Sequence, residues 1–302
     1  MAYLHENKEE FMTAINLASE YFHILPVVVE KDYYVTLILR ELSQRQNYVV
    51  FKGGTSLSKC YKVIKRFSED IDITIDSKLS QGQMKKLKES VKEIANKLGF
   101  CIPNIDETRS RRSYNRYILE YKSVLSEPDD AIQNAVLMET SFAEVSFPTN
   151  ILKVHSYIGD MMAQEAPDAL EMYSLDPFEM KVQGIDRTLV DKVFAICDYY
   201  LQDRVKNHSR HIYDIYKLTQ VVPQTSEFKL LVKEVREVRA LTNICPSAKS
   251  DVNVSELLNY LVENKVYKDD YEKITARILE ENVNYETAIE AVEKIVSSGV
   301  FK

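Results

Sequence analysis

FKGGTSLSKCYKVIKRFSEDIDITI, from Phe51 to Ile75, decides how the chain reads. YVVF at 48–51 is short, β-branched and aromatic, and it runs into Gly53 and Gly54, the pattern of a strand ending in a glycine turn. Thr55 or Ser56 can cap the helix that follows, predicted through roughly Lys65. DIDITI at 70–75 then alternates polar and apolar, as a half-buried strand does. Because side chains alternate across a strand, Asp70 and Asp72 leave one face while Ile71 and Ile73 leave the other. Two carboxylates on one face suit Mg²⁺ or Mn²⁺, since such ions bind through one or two protein carboxylates together with triphosphate oxygens. The glycines let a ligand approach the backbone, and the amides that open the helix, with the Thr55 and Ser56 hydroxyls, form a cradle for phosphate oxygens. Gly-Gly alone is commonly a turn and D-x-D alone commonly a solvated face, so the reading rests on their succession.

Outward from this stretch, apolar residues recur at helical spacing over 8–23 and 27–45, with a break near Pro26, and again over 80–98. Strands are predicted at 114–121 and 135–146. Beyond about residue 160 the pattern turns helical, over 187–201, 209–219, 227–241, 254–264, 270–280 and 285–297. The fold class is therefore α+β: a small mixed-sheet lobe with N-terminal helices over 1–160, then a mostly helical lobe over 161–302 that is expected to complete the active-site cleft. The region 147–186, with Pro148, Pro167 and Pro177, contains the join.

Composition sets bounds on function. The formal net charge of -7 argues against a protein that coats nucleic acid by bulk electrostatics, and leaves room for a local basic groove. Such a groove is offered by Arg109, Arg111, Arg112 and Arg116, interleaved with Tyr114 and Tyr117, a mixture suited to phosphate contact and base stacking on a single-stranded RNA end. Lys59, Lys62, Lys65 and Arg66 would extend the strip, and the plainer alternative is a solvated loop. Cys60, Cys101, Cys197 and Cys245 show no paired spacing, which points to reduced thiols rather than to a zinc knuckle or a disulfide framework. No stretch has the apolar length to cross a bilayer, so a cytoplasmic protein with no membrane partner is expected.

G-G-T-S followed by S-E-D-I-D resembles the first motif of the AbiEii-type nucleotidyltransferase toxins, within the polymerase-β-like superfamily. EKDYYV at 30–35 is similar to the family's approach helix. Leu137 to Ser141 resembles its second motif, and Arg187-Thr188-Leu189 with Asp191-Lys192, then Arg210 to Asp214, resembles its third. The likeness runs from about Glu30 to Leu218, with only generic helices after it. It implies a toxin of a toxin–antitoxin or abortive-infection system that moves a nucleotide from a nucleoside triphosphate to an acceptor, with RNA and tRNA 3′ ends as the candidates, opposed by a cognate antitoxin. The site residues it carries over are Gly53, Gly54 and Ser56 for phosphate, Asp70 and Asp72 for metal, Lys192 for the triphosphate, and Asp214 as a further catalytic acid or orienting group.

The residues themselves leave alternatives open. Lys192 can cross apolar surface to deliver its ammonium to phosphate, or it can be an ordinary exposed lysine. Glu139 can stand beside the aspartates as a third carboxylate and base, or on an edge strand. His211 departs from the family, which often has an acid there, and it shares a helix face with Ile215 as a packed histidine would. A catalytically silent nucleotide- or RNA-binding module and a kinase using the same cradle are the rival functions.

Overall fold

The computed structural model describes residues 3–125 and 132–302. The chain divides into two compact units, the first made of residues 1–60 and 68–182 and the second of 61–67 and 183–302. The sequence pattern had placed the division at 160/161. The first unit holds a mixed sheet followed in the chain by a mostly helical second unit, the α+β class expected.

Among the described residues one sheet has the strands β1 (Val49–Lys52), β2 (Ile71–Ile75), β3 (Tyr114–Glu120), β4 (Ala135–Val145), β5 (Thr149–Val154) and β6 (Phe178–Gln183), in the order β3-β4-β2-β1-β6-β5. β1 runs antiparallel to β2 and parallel to β6, while β4 is parallel to β2 and antiparallel to β3. β5 and β6 were not expected from the sequence. Their half-exposed pattern, FEMKVQ and TNILKV, sits between prolines and lacks a β-branched run.

Helices α1 (Lys8–Phe22) and α2 (Pro26–Arg45) begin where the sequence puts their caps: Asn7 accepts from the Glu10 amide, and Pro26 occupies the first turn of α2. α2 has Glu30, Lys31, Tyr33, Tyr34 and Leu37 to Leu39 all buried, and it packs on α1, β4 and α4 (Gln81–Leu98). A helix buried on most sides belongs to the core of its unit. The short α3 (Gly53–Lys59) stops well before Lys65, because the chain leaves the helix at Cys60 and takes a left-handed φ of 54° at Lys62. The unexpected α5 (Tyr157–Glu165) and α6 (Pro167–Met172) complete this unit.

In the second unit α7 (Ile185–Leu201) buries Leu189, Val193 and Ile196 and packs on α8 (Arg210–Thr219), α9 (Ser226–Ala240) and α10 (Val254–Glu263). After α11 (Lys268–Lys273), α12 (Tyr285–Ser298) packs on α8 and α10. The segment 61–67 joins this unit through a bridge between Arg66 and Leu279. No single helix among the described residues is long and apolar enough to cross a membrane. None of the four cysteines is in a disulfide: Cys197 and Cys245 are buried and Cys101 is exposed.

Candidate active site

The sheet register lines up four charged residues. Lys52 on β1 stands opposite Asp72 on β2, Asp72 opposite Glu139 on β4, and Glu139 opposite Arg116 on β3. Register partners share a face, so this row runs across four strands in the order cation, anion, anion, cation. Glu139 is thereby on an interior strand beside Asp72 and not on an edge. Ile71 and Ile73 point the other way and are fully buried, which anchors the face on which Asp70 and Asp72 emerge.

The glycine turn lies directly beneath. Gly53 has a φ of +80°, and a Cβ built on it would fall 2.0 Å from Asp72 Oδ2. The missing side chain is the space that the carboxylate occupies, so the turn and the D-x-D strand form one site. Within the turn, the buried Ser56 donates its hydroxyl proton to Gly53 O at 2.8 Å, and the buried Thr55 Oγ1 lies 2.9 Å from Ser68 Oγ. Both hydroxyls shape the cradle from inside.

Burial raises the Glu139 carboxyl above its ordinary range, and the charges of Asp72 and Asp70 push the same way, against a hydrogen bond from Tyr114. Crowded anionic oxygens of this kind suit a divalent cation. Among the described residues no three His, Cys, Asp or Glu side chains form a ready metal cage. That donor set fits Mg²⁺, which takes one or two carboxylates and relies on substrate phosphates and water for the rest.

A residue triplet that sequence reading treated only as part of a family motif holds this site in place. Glu30 accepts from Ser123 Oγ at 2.6 Å and from the Val124 amide at 2.8 Å. Lys31, itself buried, pairs with Glu69, the residue before Asp70. Asp32 pairs with Lys59 at the end of α3 and accepts from the Tyr157 amide at 3.0 Å. One turn of α2 therefore ties down both the end of α3 and the segment leading into β2.

The basic strip is narrower than expected. Lys59 is buried against Asp32, and Arg66 is buried against Asp214. Arg109, Arg111, Arg112 and Arg116 are exposed, as is Tyr114. Arg109 donates to Thr108 O at 3.0 Å and Arg112 to Glu107 O at 3.1 Å, which orders the loop that leads into β3. Tyr117 faces the core and is buried. Of the two aromatics in the run, only Tyr114 presents a ring to solvent.

In the second unit, Asp214 is completely buried on α8. It accepts two hydrogen bonds from Arg66, at 2.7 and 2.9 Å, and pairs with Lys192 of α7 at 2.8 Å. Burial alone would raise the Asp214 carboxyl, but Arg66 and then Lys192 hold it well below the usual carboxylate range. Burial also lowers Lys192, an effect only partly offset by Asp214. His211 Nδ1 lies 3.1 Å from Lys192 Nζ. Both oxygens of Asp214 are thus engaged by cations, Arg66 and Lys192.

A mixed sheet that seats paired aspartates over a glycine turn is the framework of a nucleotidyltransferase. The model of the family described as nucleotidyl transferase AbiEii toxin, type IV toxin–antitoxin system, matches residues 37–296, and the chain belongs to that family. The match includes the C-terminal helices, which carried no recognisable signal when read alone. Among solved structures, the nucleotidyltransferase toxin MenT4 from Mycobacterium tuberculosis H37Rv shares the fold, with a TM-score of 0.58 and 16% identity over 94% of this chain and 88% of its own. A search of curated proteins gave no sequence match. The chain is thus a nucleotidyltransferase toxin of a toxin–antitoxin system, with a nucleoside triphosphate as substrate and an antitoxin as counterpart.

Three outcomes are expected. Gly53→Ala puts a methyl group into the Asp72 carboxylate, and a displacement of about 1 Å will lower transfer about 100-fold in a turnover assay. Arg66→Ala removes two charge-assisted hydrogen bonds from the buried Asp214 carboxylate, which keeps Lys192 as a partner, and will cost about 3 kcal/mol in urea unfolding. Because Asp214 has a depressed folded-state pKa, its contribution is present above the ordinary carboxylate pKa and is lost as pH falls through the folded value. Melting temperature will accordingly fall below about pH 4, and less steeply for Arg66→Ala.

Proposed function

We propose that this toxin transfers a nucleotide to RNA, with the 3′ end of tRNA as acceptor, in a reaction dependent on Mg²⁺ or Mn²⁺ held by Asp70 and Asp72. The observation that carries the reading is the Lys52, Asp72, Glu139, Arg116 row with Gly53 beneath it. The metal, when bound, would neutralise charge on the triphosphate and its leaving pyrophosphate. Asp70 and Asp72 would hold it on the strand face, and the Gly53, Gly54, Thr55 and Ser56 turn would admit the phosphates to the backbone. Glu139, with its raised carboxyl pKa, is suited to receive the proton of the attacking hydroxyl.

Lys192 would supply a fixed positive charge to the triphosphate, oriented by Asp214. Arg109, Arg111, Arg112 and Arg116 would meet the phosphates of the acceptor strand, and Tyr114 would stack on one of its bases. Both substrates are cytoplasmic, and that is the compartment we assign to the enzyme.

Incubation with total cellular RNA and each α-labelled nucleoside triphosphate will place label on RNA, whereas γ label will not be retained. Asp72→Ala will abolish the labelling with an unchanged circular dichroism spectrum, and full activity in that variant would refute the site. Arg111→Glu will weaken RNA binding about tenfold at low salt with KM for the triphosphate unchanged, as loss of a phosphate contact requires.

A further inference from the structure

His211 sits against the Lys192–Asp214 pair, and its surroundings constrain the part it can play. The ring is buried on α8. Its Nδ1 lies 3.1 Å from Lys192 Nζ and 3.8 Å from Asp214 Oδ2, so hydrogen-bond contact is with the lysine. Lys192 sits 2.8 Å from the Asp214 carboxylate, which makes it a cationic donor with no lone pair to offer. Nδ1 must then be the acceptor, the ring is uncharged, and its proton is on Nε2. That nitrogen is buried and has no hydrogen-bond partner among the described residues. Tyr199 lies parallel to the ring at 5.6 Å between centroids, which holds its plane.

An ammonium has three N–H bonds. Asp214 takes one and His211 takes another, which leaves one directed donor. We propose that His211 is a positioning residue for the transfer, presenting its Nδ1 lone pair to Lys192 so that, together with Asp214, it leaves a single Lys192 N–H aimed at a triphosphate oxygen. The orphaned Nε2–H fits this role, since a buried donor without a partner is destabilising and is retained where the other nitrogen is needed. Burial and the Lys192 charge hold the imidazole well below its ordinary pKa, in keeping with the uncharged ring that the Nδ1 contact requires. Arg66 on the 61–67 segment, Tyr199 on α7, and Arg210, His208 and Asp214 around α8 are, among the described residues, the other ionisable groups facing this pair. Asp214 is the one anion among them. A carboxylate at position 211 would double it, bind Lys192 more tightly and raise its pKa, whereas histidine supplies an acceptor without a second charge.

The inference rests on the proposed role of Lys192, and the variants separate the two. Asparagine places Oδ1 where His211 has Nδ1, and glutamine moves its amide to the Nε2 end. With α-labelled triphosphate and total RNA, read on samples shown to be folded by circular dichroism, His211→Gln will raise KM for the triphosphate about tenfold, the value of one lost hydrogen bond. His211→Asn will recover most of that loss. His211→Asp will move the alkaline limb of kcat/KM to higher pH. If His211→Asn and His211→Gln are equally impaired, or if the alkaline limb of His211→Asp matches wild type, the positioning role is overturned. If Lys192→Ala keeps wild-type KM and kcat, the underlying assignment of Lys192 fails instead.

Discussion

The site depends on a contact that only glycine permits. The Asp72 carboxylate occupies the volume in which any side chain at position 53 would stand, and the backbone there is in the left-handed region that glycine enters without strain. The β1 to β2 register fixes the height of Asp72 over the turn, and the buried Phe51, Ile71 and Ile73 fix the register. Acid and cradle are therefore held together by the hydrophobic core below them, and neither has to be ordered when a nucleotide arrives.

Ionic contacts locate the pieces that the sheet does not. Replacing a buried ion pair by apolar side chains is often neutral or better for stability, so the paired charges here are best understood by where they put the chain. Lys31 holds the residue ahead of Asp70, Asp32 holds the end of α3, and Arg66 with Lys192 holds Asp214. Each joins a helix to a segment that lacks regular structure or ends one.

Much of this was legible in the order of residues. The glycine turn, the D-x-D strand, the long helices and the family motif could be read from local spacing, because periodicity reports which face of an element is buried. Arg66 and Lys59 were misread as surface cations, since their partners lie 148 and 27 residues away and no local pattern records them. β5 and β6 escaped notice because their half-exposed residues alternate weakly between prolines. Lys52 gives no signal of its own in the sequence, because its place opposite Asp72 follows from the antiparallel β1–β2 register, which local spacing does not record. The role of the Glu30, Lys31 and Asp32 triplet is a matter of tertiary contact, visible in sequence only as an unusual run of charge on an otherwise apolar helix.

The route of the chain between α3 and β2 has a consequence for how this protein can be divided. Residues 61–67 belong to the helical unit although the sequence on both sides belongs to the sheet unit, so covalent links join the two at 60/61, 67/68 and 182/183. A gene cut at 182 would make a sheet fragment still carrying Arg66, whose carboxylate partner stays behind at Asp214 on the other piece. Neither half is a portable module. The interleaving means that an exchange of the sheet unit by a single cut at 182 carries a heptapeptide of the helical unit with it.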